Sequence, residues 1–211
     1  MTANTYHHGD LREALIHASH KILNEKGADA LSLRAIAAEV GVSHMAPYSH
    51  FKSKKSLFQE VAASGFDALA DKMKQASQTV QSPAERILSY GVSYIEFALA
   101  QPQLYRLMLG QVENAGRRGF SKTASTDQPA PLSFSAQLQG SSKRPFELLE
   151  NAFTELNNKG DKLTVKAQAL GAWSMVHGMA ALLIEGHFEI PPGMSIKDFL
   201  ALAAFYKPGT L

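Results

Sequence analysis

Apolar residues near the start of the chain recur at the spacing of an amphipathic helix. They share one helical face: Leu11, Leu15, Ala18, Ile22 and Leu23. Asp10 precedes this pattern and suits a helix start, whereas Gly27 suits a helix end. The pattern predicts a first helix from near Leu11 to Gly27.

Two further short helices are predicted after this first one. Ser32 can cap a helix whose inner face carries Leu33, Ile36, Ala37 and Val40, and Gly41 ends it. After a tight turn, Ser43 can cap a third helix that runs to about Phe51. The segment is predicted to be helix, turn, helix.

The rest of the chain also has helical periodicity, and no strand pattern is evident. Helices are predicted from near Lys54 and from Pro83, and over 103–109, 145–157, 163–185 and 196–205. The segment 110–141, rich in Gly, Ser, Thr, Gln and Pro, is predicted to be a long loop. We therefore expect an all-α protein of about nine helices, with a helix-turn-helix domain over 1–52 and a second helical domain over 53–211.

Composition and charge narrow the classes of protein. The chain has 211 residues and no cysteine, which excludes disulfides and thiolate zinc sites and favours the cytoplasm. Its first residues lack the features of a signal peptide, and no apolar run approaches the roughly 18 residues of a membrane span, so no membrane association is expected. A net charge of +2 permits nucleic-acid binding without requiring it.

The predicted turn has the residues that a DNA-reading helix-turn-helix needs. Ala37 is small enough for a close helix crossing, and Gly41 accepts a positive φ. Outward residues of the third helix would meet base edges, and the lysines that follow would meet phosphates. The alternative is a plain folding unit with a solvated basic connector. The candidate DNA-binding residues are Ser32, Arg34, Ser43, His44, Met45, Tyr48, His50, Lys52 and Lys54.

The stretch from Leu33 to Leu57 resembles the DNA-binding domain of TetR-family regulators. The resemblance rests on Ile36-Ala37, Gly41-Val42-Ser43, Tyr48-x-x-Phe51 and Ser53-Lys54-x-x-Leu57. The second half is similar to one branch of that family, which carries Trp and then His-Gly in a long dimer-forming helix, here Trp173 to Gly178. The resemblance implies a homodimer that binds double-stranded operator DNA and represses transcription.

The same resemblance implies a pocket for a small-molecule effector between helices of the second half. Aromatic residues and methionines there would suit an apolar effector, although core packing explains them equally well. Effector binding would favour a dimer whose recognition helices no longer match successive major grooves, which lowers operator affinity. The candidate pocket residues are Phe97, Tyr105, Met108, Phe153, Trp173 and His177.

One residue, Pro47, departs from the family pattern. Pro47 stands inside the predicted third helix, where proline forfeits a hydrogen bond and crowds the preceding turn. A dimer that sequesters ligand without binding DNA is therefore an alternative.

An enzyme is not expected, because no catalytic motif is present. Adjacent histidines such as His7 and His8 rarely converge on one ion, so neither a metal nor another cofactor is expected.

Overall fold

The structure is a computed structural model that describes residues 8–110, 135–158 and 160–204. These residues form α-helices and short 3-10 helices, and no strand occurs among them. The all-α fold class is confirmed, and the number of helices in the described ranges is close to the predicted nine. The chain divides into two compact units, one made of residues 1–65 and 103–141 and the other of residues 66–102 and 142–211. The proposed division of function at residues 52 and 53 stays a prediction.

The first unit begins with three elements whose ends follow from the sequence. Helix α1 spans His8–Lys26, a 3-10 turn spans Ala28–Ala30, and α2 spans Leu33–Val40. Gly27 follows α1 with φ 77°, a conformation that glycine adopts without steric cost. Fully buried side chains of α1 and α2, among them Leu15, Leu23 and Ile36, form the core of this unit.

The first unit is completed by the start of a long helix and by two short ones. Helix α3 spans Lys54–Ser77, α5 spans Pro102–Met108 and α6 spans Ala136–Ser141. A Cβ at Gly65 would lie 2.7 Å from the Met108 sulfur, so this glycine allows close packing inside the unit. Helix α6 corrects the prediction of a loop over 110–141 at its C-terminal end. Residues 111–134 of that predicted loop lie outside the described residues.

The second unit is built around helix α4, Pro83–Ala100. Its neighbours are α7 (Arg144–Leu156), α8 (Lys162–Ile184) and α9 (Ile196–Ala204). The Ser82 hydroxyl caps α4, and Pro83 occupies its first turn, where the absent N–H leaves no helical bond unmade. Arg144 at the start of α7 pairs with Asp67 and Asp71 of α3.

Helix α8 stands apart by its exposure. It is the one helix in the described ranges that is long and apolar enough, by length and composition, to cross a membrane. The sequence predicted no apolar run of membrane-spanning length, and α8 qualifies that prediction because it has the length and composition of such a run. Only 17% of its most apolar 18-residue stretch is buried, and Leu163 and Leu170 are 77% and 55% exposed. This helix thus presents apolar surface that the described part of the chain leaves exposed.

Candidate DNA-binding surface and ligand cavity

The end of α2 has the geometry of a helix-turn-helix. The Ser32 hydroxyl accepts a hydrogen bond from the Ala35 N–H at 3.1 Å, which satisfies a free donor of the first turn. Gly41 is left-handed at φ 77° and ψ 30°, and the Val42 N–H then donates to the Ala37 carbonyl at 3.0 Å. Ala37 is 1% exposed. The turn predicted from Ala37 and Gly41 is therefore present.

The element after the turn is shorter than predicted. In place of an α-helix from Ser43 to Phe51, only a 3-10 helix forms, at Ala46–Ser49. Pro47 lies in its first turn and is fully buried. Because proline has no N–H and crowds the residues before it, it favours this tighter turn over a longer α-helix. The prediction of a third α-helix was wrong, and Pro47 provides the physical reason.

Most of the predicted DNA-binding residues are nevertheless exposed, and we call this set the turn surface. Met45 and Tyr48 are 59% and 50% exposed, although large side chains of their kind usually lie inside. The other exposed members are Arg34, Ser43, His44, Lys52 and Lys54. Two predicted residues differ from these. Ser32 is half-buried as the cap of α2, and His50 is half-buried with its Nε2 atom lacking a hydrogen-bond partner among the described residues.

A hydrogen-bonded start of α3 places the lysines of the turn surface. The Ser56 N–H donates to the Ser53 hydroxyl at 3.1 Å, and the Ser53 N–H donates to the Ser56 hydroxyl at 3.0 Å. This reciprocal pair resembles a capping box and fixes where α3 begins. The Lys54 ammonium lies 5.1 Å from the centre of the Phe58 ring. This pair was not predicted, although the spacing of the two serines is visible in the sequence.

The second unit contains a cavity of about 540 Å³. A glycine at position 91 lets α4 approach its neighbours, since a Cβ there would lie 2.6 Å from a Leu200 methyl carbon. The walls are mainly apolar and aromatic, as ligand cavities usually are. The lining residues include Met73, Glu85, Tyr90, Tyr94, Phe153 and Trp173.

The structure gathers only part of the predicted pocket. Phe153 and Trp173 line the cavity, but Phe97 is buried in the core and is not among the lining residues. Tyr105 and Met108 are buried in the first unit. Tyr90 and Tyr94, which the sequence analysis did not name for the pocket, do line it; their spacing of four residues on one helix was the available signal.

His177 lies behind the cavity wall. Its Nδ1 atom is 2.9 Å from the Tyr94 hydroxyl oxygen, and burial lowers the pKa of His177. Trp173 lies edge-on to Tyr94 and Phe146, with ring centres 5.0 Å and 5.8 Å away. Such edge-to-face contacts stabilise aromatic clusters. One side of the cavity is therefore an ordered aromatic wall.

Comparisons with known proteins agree with this arrangement. A family model described as bacterial regulatory proteins, tetR family, matches residues 15–61, and a model described as the tetracyclin repressor-like C-terminal domain matches residues 87–203. The fold and the helix-turn-helix thus define a bacterial transcription regulator of the DNA-binding class. The chain belongs to the tetR family.

Solved structures share the whole fold. A protein of unknown function from Rhodococcus sp. RHA1 has a TM-score of 0.73 and 28% identity, and the match covers 96% of this chain and 95% of that one. A TetR family transcription regulator from Marinobacter aquaeolei VT8 has a TM-score of 0.61 and 17% identity, covering 92% and 91% of the two chains. The second likeness shows the fold alone.

Curated relatives match over shorter stretches. The tetracycline repressor protein class C of Escherichia coli is 35% identical over 74 residues, which is 35% of this chain and 30% of the relative. The HTH-type transcriptional repressor KstR2 of Mycolicibacterium smegmatis is 27% identical over 120 residues, or 56% and 58% of the two chains. The chain spans about half the length, or less, of these curated relatives.

Proposed function

We propose that this protein is a cytoplasmic repressor that binds an operator as a homodimer and releases it when a small, largely apolar effector fills the cavity. The turn surface is the observation that carries this proposal. It combines hydrogen-bonding side chains that suit base edges with lysines that suit phosphates. Its apolar member, Met45, suits contact with a thymine methyl group.

The exposed leucines of α8 and α9 support the homodimer. Leu163, Leu170 and Leu182 on α8 are 77%, 55% and 49% exposed, and Leu202 on α9 is 66% exposed. A second copy of the chain would bury these side chains in a four-helix interface, which the hydrophobic effect favours. Two turn surfaces related by twofold symmetry would then read a palindromic operator.

The cavity supports control by an effector. Its volume of about 540 Å³ and its aromatic walls suit a molecule of drug-like size. Met73 and Met175 among its lining residues can adapt to several shapes. An effector that binds one form of the dimer more tightly than the other would shift the population away from the DNA-binding form.

The test begins with selection of bound sequences from a random duplex pool at two salt concentrations. A palindromic site, with affinity that falls steeply as salt rises, is expected because lysines release counterions from phosphates. Tyr48→Ala and Lys54→Ala should each weaken binding about tenfold while the dimer stays intact. Lys74→Ala is the control, since Lys74 is exposed at the far end of the same helix α3. Equal losses in the control would contradict the assignment of the turn surface.

The short 3-10 helix at Pro47 favours one alternative, a dimer that binds the small molecule but has lost DNA recognition. In that case no sequence is enriched, and residual DNA binding is weak at all sites. The same selection experiment therefore separates the two functions.

A further inference from the structure

The cavity carries one charged wall residue. Among its described lining residues, Glu85 is the only acidic or basic side chain. Glu85 lies in the first turn of α4 and has no ion-pair partner in the part of the chain that the structure describes. Its negative charge is therefore available to a ligand.

Neighbouring positive charge does not cancel that of Glu85. The Arg86 guanidinium pairs with Glu155 at 2.7 Å, so its charge is already balanced. The N-terminus of α4 carries a positive partial charge of about half an electron, which is smaller than the full charge of a carboxylate. The described residues that line the cavity thus carry one net negative charge, at the start of α4.

The lining of the cavity has an exposed side, where Glu85 lies, and a buried side. Glu85 is exposed, as is Gln168, so these residues form the open side. Tyr90 and Tyr94 are buried and form the inner wall. A ligand with a charged head and an apolar body would therefore fit with the head at Glu85 and the body inside.

We propose that the effector is a lipophilic organic cation, an amine or quaternary ammonium group attached to an apolar body. This inference rests on the proposed function, because it specifies what the effector cavity binds. Opposite charge at the rim favours the cationic head, and the apolar and aromatic inner wall favours an apolar body. A carboxylate head would instead meet a like charge with no lining cation to balance it.

The test uses three probes with the same decyl chain and different heads: trimethylammonium, hydroxyl and carboxylate. The full chain has a single tryptophan, Trp173, which lines the cavity, so its fluorescence reports binding. We expect affinity to fall from trimethylammonium to hydroxyl to carboxylate, with a span of at least about tenfold. Any other order, equal affinities, or no fluorescence change with all three probes would overturn the proposal.

The variant Glu85→Gln removes the charge and keeps the shape of the side chain. It should weaken trimethylammonium binding and strengthen carboxylate binding, each about three- to tenfold, and leave the hydroxyl probe unchanged. The control is Glu96→Gln, because Glu96 is exposed on the same helix, pairs with Lys72 and does not line the cavity. Equal effects in both variants would overturn the role of Glu85.

Operator binding without any ligand separates this inference from the proposed function. A chain that binds a salt-sensitive palindromic site but prefers the carboxylate probe remains a regulator and contradicts only the cationic effector. A chain that selects no site contradicts the regulator itself, whatever the order of the probes.

Discussion

The imidazole ring of His20 on α1 contacts a serine hydroxyl on α3. Its Nε2 atom lies 2.8 Å from the Ser64 hydroxyl oxygen. Burial, and to a smaller extent the charge of His17, lowers the pKa of His20 below its ordinary value of 6.5. The folded protein therefore favours the neutral ring, whereas the unfolded chain takes up a proton near pH 6.5.

Folding stability should depend on pH through this residue. The contribution of His20 is retained above its unfolded pKa and is lost as pH falls through its folded pKa. We expect His20→Gln to lose less thermal stability than the natural protein between about pH 7.5 and about pH 5.5. Melting followed by circular dichroism measures this difference. His187→Gln, at an exposed histidine of the second unit, should behave like the natural protein; equal behaviour of both variants would contradict the role of His20.

The residues of the two candidate sites were not equally predictable. Tyr48 and Met45 could be placed outside because they interrupt an apolar pattern at a turn, and both are exposed. Tyr105 and Met108 have the same chemistry as true lining residues but pack inside the first unit. Periodicity identifies a buried face, but it does not reveal whether that face meets another side chain or an empty space.

The elements around the turn depend on caps of different strength. Ser32 caps a true α-helix at 3.1 Å, whereas the Ser43 hydroxyl only accepts a 3.3 Å bond from the Met45 N–H. We expect Ser32→Ala to lower the free energy of unfolding by about 1 kcal/mol, because a helical N–H loses its partner. Ser43→Ala should lower it by less than about 0.5 kcal/mol. Denaturant unfolding of both variants measures the difference, and a larger loss for Ser43→Ala would contradict this ranking.

Helix ends were predictable where a local residue decides them. Ser32, Gly41 and Pro83 act through their own backbone or side chain, and α2 and α4 begin or end beside them. The 3-10 helix at Pro47 shows where prediction from periodicity fails. The helical pattern of side chains continues through Pro47, but proline has no N–H to donate to the α-helical hydrogen bonds. Helix α6 was missed because six residues give too little periodicity, and its buried Leu138 depends on tertiary contacts.

At the scale of the whole molecule, the exposed face of α8 should decide the oligomeric state. We expect Leu170→Lys to shift the protein from dimer to monomer, since a buried lysine without a partner is costly in an apolar interface. Sedimentation velocity at several protein concentrations measures the shift. The control is Leu99→Lys, which makes the same change at a leucine of α4 that is 38% exposed. If both variants sediment alike, α8 is not the interface.

The all-α class and the family were accessible from the sequence because they rest on long periodic segments and a compact motif. The division into two discontinuous units was not, because residues 103–110 and 135–141 join the first unit through contacts that are remote in sequence. Gly65 is an example, since its close approach to Met108 links positions that no local pattern connects.

Trp173 allows the unfolding of the second unit to be observed separately from that of the whole protein. The only tryptophan of the chain belongs to the second unit, whereas both units contribute helices to the far-ultraviolet circular dichroism. Tryptophan emission therefore follows the melting of one unit, and the dichroism follows both. Coincident midpoints would mean that the units melt as a single cooperative block, and separated midpoints would give the stability of each unit from one unmodified protein.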